Sequence, residues 1–176
     1  MNSVHIETKK RMLCYEAQRW VGVTEVGGDN SGQLVEMFQK AVDGKAQREP
    51  WCLAFIFFCI KQVDKAADAI FLQALNKTKL KPTEHCMTLF RSSKSQVLKS
   101  PEVGCVMIWE FVKNGKPTGS GHAEIVIEVH KDHVVTVGGN TSDGQGVNRE
   151  GDGVYKRVRS VLGSPTMVVR GFLKVW

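Results

Sequence analysis

The hydrophobic periodicity of this chain changes once, and that change restricts its possible folds more than any other feature. Up to about residue 92, apolar residues recur at three- and four-residue spacing, which is typical of helices that bury one face. From residue 104 onward they occur in short segments with a period of two, rich in β-branched and aromatic residues and separated by turn signals. Helices followed by an antiparallel sheet predict an α+β fold.

The helical part is organised around one very apolar segment. The run from Trp51 to Val63 is apolar on nearly every side, and Pro50 suits the first turn of a helix, so a central, buried helix is predicted there. Before it, Asn30 with Gln33 three residues later predicts the capped start of another helix. Further helices are predicted at residues 6–21, 64–75 and 83–92.

About five antiparallel strands are predicted in the second part of the chain. Short turns connect most of the segments, so neighbours in sequence are expected to pair. Because 176 residues can be organised around one core, a single domain over residues 1–176 is predicted. The predicted strands are residues 104–112, 121–129, 133–139, 153–159 and 165–176.

The composition is that of an ordinary globular protein, with 42% hydrophobic and 24% charged residues. No apolar run approaches the ~20 residues that cross a bilayer. The segment "MNSVHIETKKRMLCYEAQRWV" has the pattern of an amphipathic helix and not of a signal peptide. These features predict a protein made in the cytoplasm without membrane insertion. The net charge of +6 attracts polyanions in general and selects none of them.

Among the five cysteines, Cys52 has the sequence context of a nucleophile. It lies at the first turn of the predicted central helix, where unpaired backbone N–H groups and the helix dipole favour a thiolate. Cys59 lies on nearly the same face, two turns deeper in the apolar run, where a thiol stays protonated. The alternative for Cys52 is a small core residue, because free cysteine is among the most buried residue types. The odd number of cysteines and the lack of a Cys-x-x-Cys pair predict free thiols and no zinc site.

A nucleophilic cysteine needs a base, and His122 is the histidine best placed to supply one. It begins a strand directly after a glycine-rich turn, whereas the other four histidines fall at expected surface positions. Asn140 ends the next strand, and a hairpin at residues 130–133 would bring it beside His122. The sequence therefore predicts a cysteine–histidine site in which Asn140 orients the imidazole.

These fragments, in this order, resemble a known family. Pro-Trp-Cys opening a helix, Gly-His opening a strand and Gly-Asn closing the next are similar to the CHAP group of the NlpC/P60-type, papain-like cysteine peptidases. The segment "TEVGGDNSGQLVEMF" resembles the lead-in of a phage-associated branch, so the likeness covers residues 20–145. The resemblance implies a papain-like fold and an endolysin-like peptidoglycan hydrolase. This would be an N-acetylmuramoyl-L-alanine amidase or a stem- or cross-bridge-peptide endopeptidase.

By this resemblance Cys52 is the nucleophile, His122 the base and Asn140 the orienting residue. Many members carry an acid two residues before the asparagine, where this chain has Gly138, and Glu124 stands where a glycine is common. Glu124 shares a strand face with His122, so it is a second candidate for orienting the ring, although such side chains project in parallel. The residues expected along the substrate groove are Trp51, Gln47, Glu25 and Glu124.

The resemblance also implies the partners. It implies bacterial peptidoglycan as substrate, a monomer, no nucleic acid and no cofactor, with action at the cell wall or periplasm after release or export. Some members bind calcium before the cysteine, but "VDGKAQREPW" offers only Asp43 and Glu49, so no metal is predicted. Two other classes stay open. One is a papain-fold cysteine effector, a protease or deamidase acting on a non-wall substrate, and the other is a non-catalytic basic binding module.

Overall fold

A computed structural model describes residues 2–69, 77–142 and 151–176. In this part of the chain four α-helices precede a six-stranded antiparallel sheet, so the fold is α+β, as the change of periodicity predicts. The helices are α1 (Asn2–Gln18), α2 (Gln33–Asp43), α3 (Cys52–Ala69) and α4 (Cys86–Ser92). The strands are β1 (Val97–Leu98), β2 (Val106–Lys113), β3 (Lys116–Val129), β4 (His133–Thr141), β5 (Gly153–Ser160) and β6 (Met167–Leu173).

The sheet has the strand order β1-β6-β2-β3-β4-β5. Strands β2 to β5 are neighbours both in sequence and in space. This agrees with the short connections at residues 114–115 and 130–132, whereas β4 and β5 pair across a longer connection, residues 142–152. β6 returns to pair with the free side of β2, so β2 and β3 become central strands. The sixth strand, β1, was not expected, because its two residues are too few to show an alternating pattern.

The helix α3 is the central element of the core. Every residue from Cys52 to Ile60 is buried. Helices α1 and α2 pack on α3, and α3 packs on β3 and β4. Phe38 of α2 lies against this helix, with its ring centroid 5.3 Å from that of Phe55 and 5.0 Å from that of Phe58. Among the described residues, no helix combines the length and apolar character needed to cross a membrane.

Several expected boundaries are wrong. α1 spans Asn2–Gln18 and not residues 6–21. β3 begins at Lys116 and not at residue 121, so His122 lies inside this strand and not at its start.

Two further differences concern α3 and α2. α3 continues to Ala69, so the break expected at residue 64 does not occur, and the rest of the predicted 64–75 helix lies outside the described residues. Three alanines near its end favour continuation of the helix. Asn30 does not cap α2, whose N-cap is Gly32. The backbone of Asn30 instead has a φ of 51°, and its N–H donates to the Glu25 carboxylate.

Candidate active site

The first residue of α3 lies in a pocket. Cys52 is 5% exposed and lines a cavity of about 250 Å³. As the first residue of the helix, it has a backbone N–H that the helix does not use for its own hydrogen bonds, and this N–H and the helix dipole favour negative charge. Side chains from other elements complete the walls, among them Glu49, Glu84, His85, Cys86, His122 and Asn140.

The sulfur of Cys52 contacts two groups that favour its thiolate. The Sγ of Cys86 lies 3.7 Å from the Sγ of Cys52, and the imidazole of His122 hydrogen-bonds the same sulfur. The hydrogen bond from Cys86 and then that from His122 hold the pKa of Cys52 well below its usual value, although burial opposes them. The same contact with Cys52, together with burial, raises the pKa of Cys86. The negative charge of the pair therefore resides on Cys52.

His122 is held as an imidazolium. Burial alone would lower its pKa, but the hydrogen bonds to Cys52 and Glu124 raise the pKa of His122 to about 9. Its ring stacks on Trp109 of the neighbouring strand, with centroids 6.1 Å apart and an interplanar angle of 28°. At neutral pH these contacts favour a thiolate–imidazolium pair, which is the reactive form of a cysteine nucleophile.

Glu124, and not Asn140, contacts the imidazole. The Nε2 of His122 lies 3.1 Å from Oε1 of Glu124, which leaves Nδ1 as the ring nitrogen free for Cys52. The side chains of His122 and Glu124 were expected to project in parallel from β3, and this expectation is wrong. The reason lies in the neighbouring strand β4. A Cβ at Gly138 would lie only 2.4 Å from the Cγ of Glu124, so the missing side chain leaves the space in which Glu124 bends back to the ring.

The buried guanidinium of Arg159 holds the carboxylate of Glu124 in place. Nε of Arg159, on β5, donates to Oε2 of Glu124 at 2.9 Å, and the hydroxyl of Thr136 donates to the same oxygen at 2.5 Å. The guanidinium of Arg159 also lies 5.7 Å from the centroid of a Trp109 ring. Burial alone would raise the pKa of Glu124, but Arg159 and then His122 lower it strongly, so the carboxylate stays ionised.

Arg159 was not among the residues that the sequence singled out. Alternation along β5 shows only that Tyr155, Arg157 and Arg159 share a face, and this face carries no apolar pattern that would indicate burial. Arg159 is nevertheless 6% exposed, because Glu124 neutralises its charge. Such a pairing depends on the order of β3, β4 and β5 in the sheet.

Asn140 joins β4 to the start of α3. Its Oδ1 accepts the backbone N–H of Trp51 at 3.0 Å, and its Nδ2 donates to the carbonyl of Gly151 at 2.9 Å. Asn140 lines the pocket, but its amide is occupied by backbone groups, so the expected role as the group that orients His122 is wrong. Its contact with the residue before Cys52 instead positions the beginning of α3.

The residues expected along the substrate groove do not form the pocket walls. The Trp51 side chain is 0% exposed, and its Nε1 donates to Glu25 at 2.8 Å, so these two residues hold the lead-in segment against α3. Gln47 is exposed and outside the pocket lining, and Glu124 is fully buried beneath His122. The walls come instead from residues on the segments around α3, α4 and the β2–β3 hairpin, including Glu49, Pro50, Glu84, His85 and Phe111.

Among the described residues, no group of three or more histidine, cysteine or acidic side chains is arranged to hold a metal ion.

No family model matches this sequence, and neither a curated protein nor a solved structure matches it.

Proposed function

We propose that this chain is a cysteine peptidoglycan hydrolase with a papain-like fold of the CHAP type. It would cleave an amide bond of the wall peptide or the bond that links this peptide to muramic acid. The observation that carries the proposal is the contact between Cys52, at the start of a buried helix, and His122, whose ring is held by an ionised carboxylate. The family motifs around these residues support the choice of substrate.

In the first step the Cys52 thiolate attacks the carbonyl carbon of the amide. Negative charge moves to the carbonyl oxygen, which the backbone N–H of Cys52 and the N-terminus of α3 stabilise. The His122 imidazolium donates its proton to the nitrogen of the leaving amine as the C–N bond breaks. The product of this step is a thioester between Cys52 and the acyl part of the substrate.

In the second step neutral His122 takes a proton from water, and the resulting hydroxide attacks the thioester carbonyl. The C–S bond breaks, the carboxylic product leaves, and Cys52 returns as a thiolate beside an imidazolium. Glu124 stays ionised throughout, because its contact with Arg159 does not depend on the proton of His122. Its function is to orient the ring and to stabilise the imidazolium.

The lead-in segment favours a wall polymer over other amides, because it resembles that of phage-associated wall hydrolases. The net charge of +6 is compatible with an anionic wall polymer but would attract other polyanions equally.

Digestion of purified sacculi tests the proposal. The wild-type protein should release soluble fragments, and mass spectrometry should find a freed muramic lactyl group, a new stem-peptide end or a freed cross-bridge amine. The Cys52→Ser variant should release none, and Cys59→Ser, altered on the same helix outside the pocket, should release the same fragments as the wild type. Intact sacculi beside Cys52-dependent cleavage of a protein amide would favour the effector function instead.

A further inference from the structure

The candidate pocket contains a second cysteine that the proposed reaction does not consume. Cys86, the first residue of α4, is 4% exposed and lines the same cavity as Cys52. Its sulfur lies 3.7 Å from that of Cys52, which is a non-bonded contact between two thiols. The other three cysteines do not line this pocket.

The separation of these sulfurs is small enough to close. A disulfide has an S–S length of about 2.05 Å, so the two sulfur atoms would have to approach by less than about 2 Å. Residues 77–85, just before Cys86, form neither helix nor strand, so a small movement of α4 toward α3 does not require a regular element to break. The pair therefore meets the first geometric condition for an intramolecular disulfide.

We propose that Cys86 is the resolving thiol of Cys52, so that a hydroperoxide converts the site into a reversible Cys52–Cys86 disulfide and protects the nucleophile from irreversible oxidation. The consequence for catalysis rests on the proposed function, whereas formation of the disulfide does not. The site would thus be switched off by an oxidant and switched on again by a dithiol reductant.

The chemistry balances in two steps. The Cys52 thiolate attacks one oxygen of the hydroperoxide, the O–O bond breaks, and Cys52 becomes a sulfenic acid. The leaving alkoxide or hydroxide takes a proton from solvent and departs as an alcohol or as water. The Cys86 thiolate then attacks the sulfur of this sulfenic acid, the S–O bond breaks, and hydroxide leaves as water after taking a proton. A small dithiol reverses the bond by exchange and is itself oxidised to a disulfide.

The charges on Cys52 and Cys86 determine which of the two thiols reacts first. While Cys52 is a thiolate, its contact with Cys86 raises the pKa of Cys86, so Cys86 stays protonated and does not compete for the oxidant. Conversion of Cys52 to a neutral sulfenic acid removes that negative charge, and the pKa of Cys86 then falls. The resolving thiol is thus activated only after the nucleophile has been oxidised.

Exposure of the full chain to hydrogen peroxide, followed by mass spectrometry, tests the proposal. The wild-type protein should lose two hydrogen atoms, with Cys52 and Cys86 joined in its peptide map, and dithiothreitol should reverse the change. In Cys86→Ala, Cys52 should gain two or three oxygen atoms and reach this irreversible state about 10-fold faster than in the wild type. The matched control is Cys105→Ala, another buried cysteine, which should form the same disulfide as the wild type.

The mass measurement separates this proposal from the proposed function, because it needs no substrate. A wild-type protein that gains oxygen on Cys52 while Cys86 remains a free thiol would overturn the resolving role, whatever the protein does to sacculi. A peptide map that joins Cys86 to a cysteine other than Cys52 would overturn it as well. If Cys86→Ala does not fold, as judged by thermal unfolding, the wild-type peptide map and the Cys86→Ser variant decide between these outcomes.

Discussion

Two positions on one helix give the same side chain opposite properties. Cys52 and Cys59 lie seven residues apart on α3 and are both buried, with exposures of 5% and 0%. At the start of the helix, Cys86 and His122 lower the pKa of Cys52. Two turns further on, burial among apolar side chains raises the pKa of Cys59 well above its usual value. Burial alone therefore does not make a thiol inert.

The difference between these thiols is the supply of hydrogen-bond donors and positive charge. Cys52 has a protonated imidazole and a thiol donor beside it, and they outweigh the cost of desolvating its charge. Cys59 has the desolvation cost without comparable compensation. The pKa of each thiol is thus set by the side chains that the surrounding elements place beside it. Four expected outcomes test this comparison, from the largest effect to the smallest.

The largest effect is expected from removing the nucleophile. Replacing Cys52 by serine should reduce hydrolysis by about 10⁴-fold or more, because a serine hydroxyl is a poor nucleophile beside this imidazolium. Iodoacetamide at neutral pH should alkylate Cys52 in the folded wild-type protein and leave Cys59 unmodified, as measured by peptide mapping. Preferential alkylation of Cys59 would remove the basis for the comparison.

The next effect concerns the residue that orients His122. Replacing Glu124 by glutamine should lower kcat by ~10- to 1000-fold, because an imidazole without its carboxylate is less well aligned and its charged form is less stable. Both this variant and Asn140→Ala should be assayed below their melting temperatures. Asn140→Ala should lower kcat less, and its main effect should be on stability, because the buried N–H of Trp51 and the carbonyl of Gly151 lose their partner. A larger loss of kcat in Asn140→Ala would return the orienting role to Asn140.

The pH dependence of the reaction should show the raised pKa of His122. The ion pair exists above the lowered pKa of Cys52 and below the pKa of His122, which is about 9. In the wild type kcat/KM should therefore stay high through neutral pH and fall as the pH rises through about 9. In Glu124→Gln the alkaline fall should begin at a lower pH, because the imidazolium has lost its carboxylate. An alkaline limb that does not move would show that Glu124 does not stabilise the charge of His122.

The smallest effect on activity is expected at Cys59. Replacing it by serine buries a hydroxyl among apolar side chains and should lower the free energy of unfolding by roughly 1–3 kcal/mol. The folded fraction should keep the wild-type kcat, since Cys59 lies outside the pocket. Urea unfolding and an active-site titration measure these two quantities separately. A selective loss of kcat in fully folded protein would contradict the assignment of Cys59 to the core.

Local patterns were sufficient for much of the fold. The order of helices and strands, the central position of α3 and the positions of five strands follow from periodicity, which depends only on neighbouring residues. The helix boundaries were less well predicted, because Asn30 and the alanines near residue 66 each have more than one favourable local conformation. The choice between them depends on contacts with Glu25 and with the rest of the core.

For the candidate site, the sequence by itself was sufficient to single out Cys52 and His122, because the start of a helix and a histidine after a glycine-rich segment can be recognised from neighbouring residues. The start of α3 is at Cys52 as predicted, whereas His122 lies inside β3. Only the tertiary structure decided that Glu124 contacts His122, that Arg159 neutralises Glu124 and that Cys86 lies beside Cys52. These contacts join residues up to 35 positions apart in the chain. The contacts of Glu124 depend on strand order, on register and on the space that Gly138 leaves open, and these properties arise only when β3, β4 and β5 lie side by side. The contact between Cys52 and Cys86 depends on the first residues of α3 and α4 meeting at one pocket.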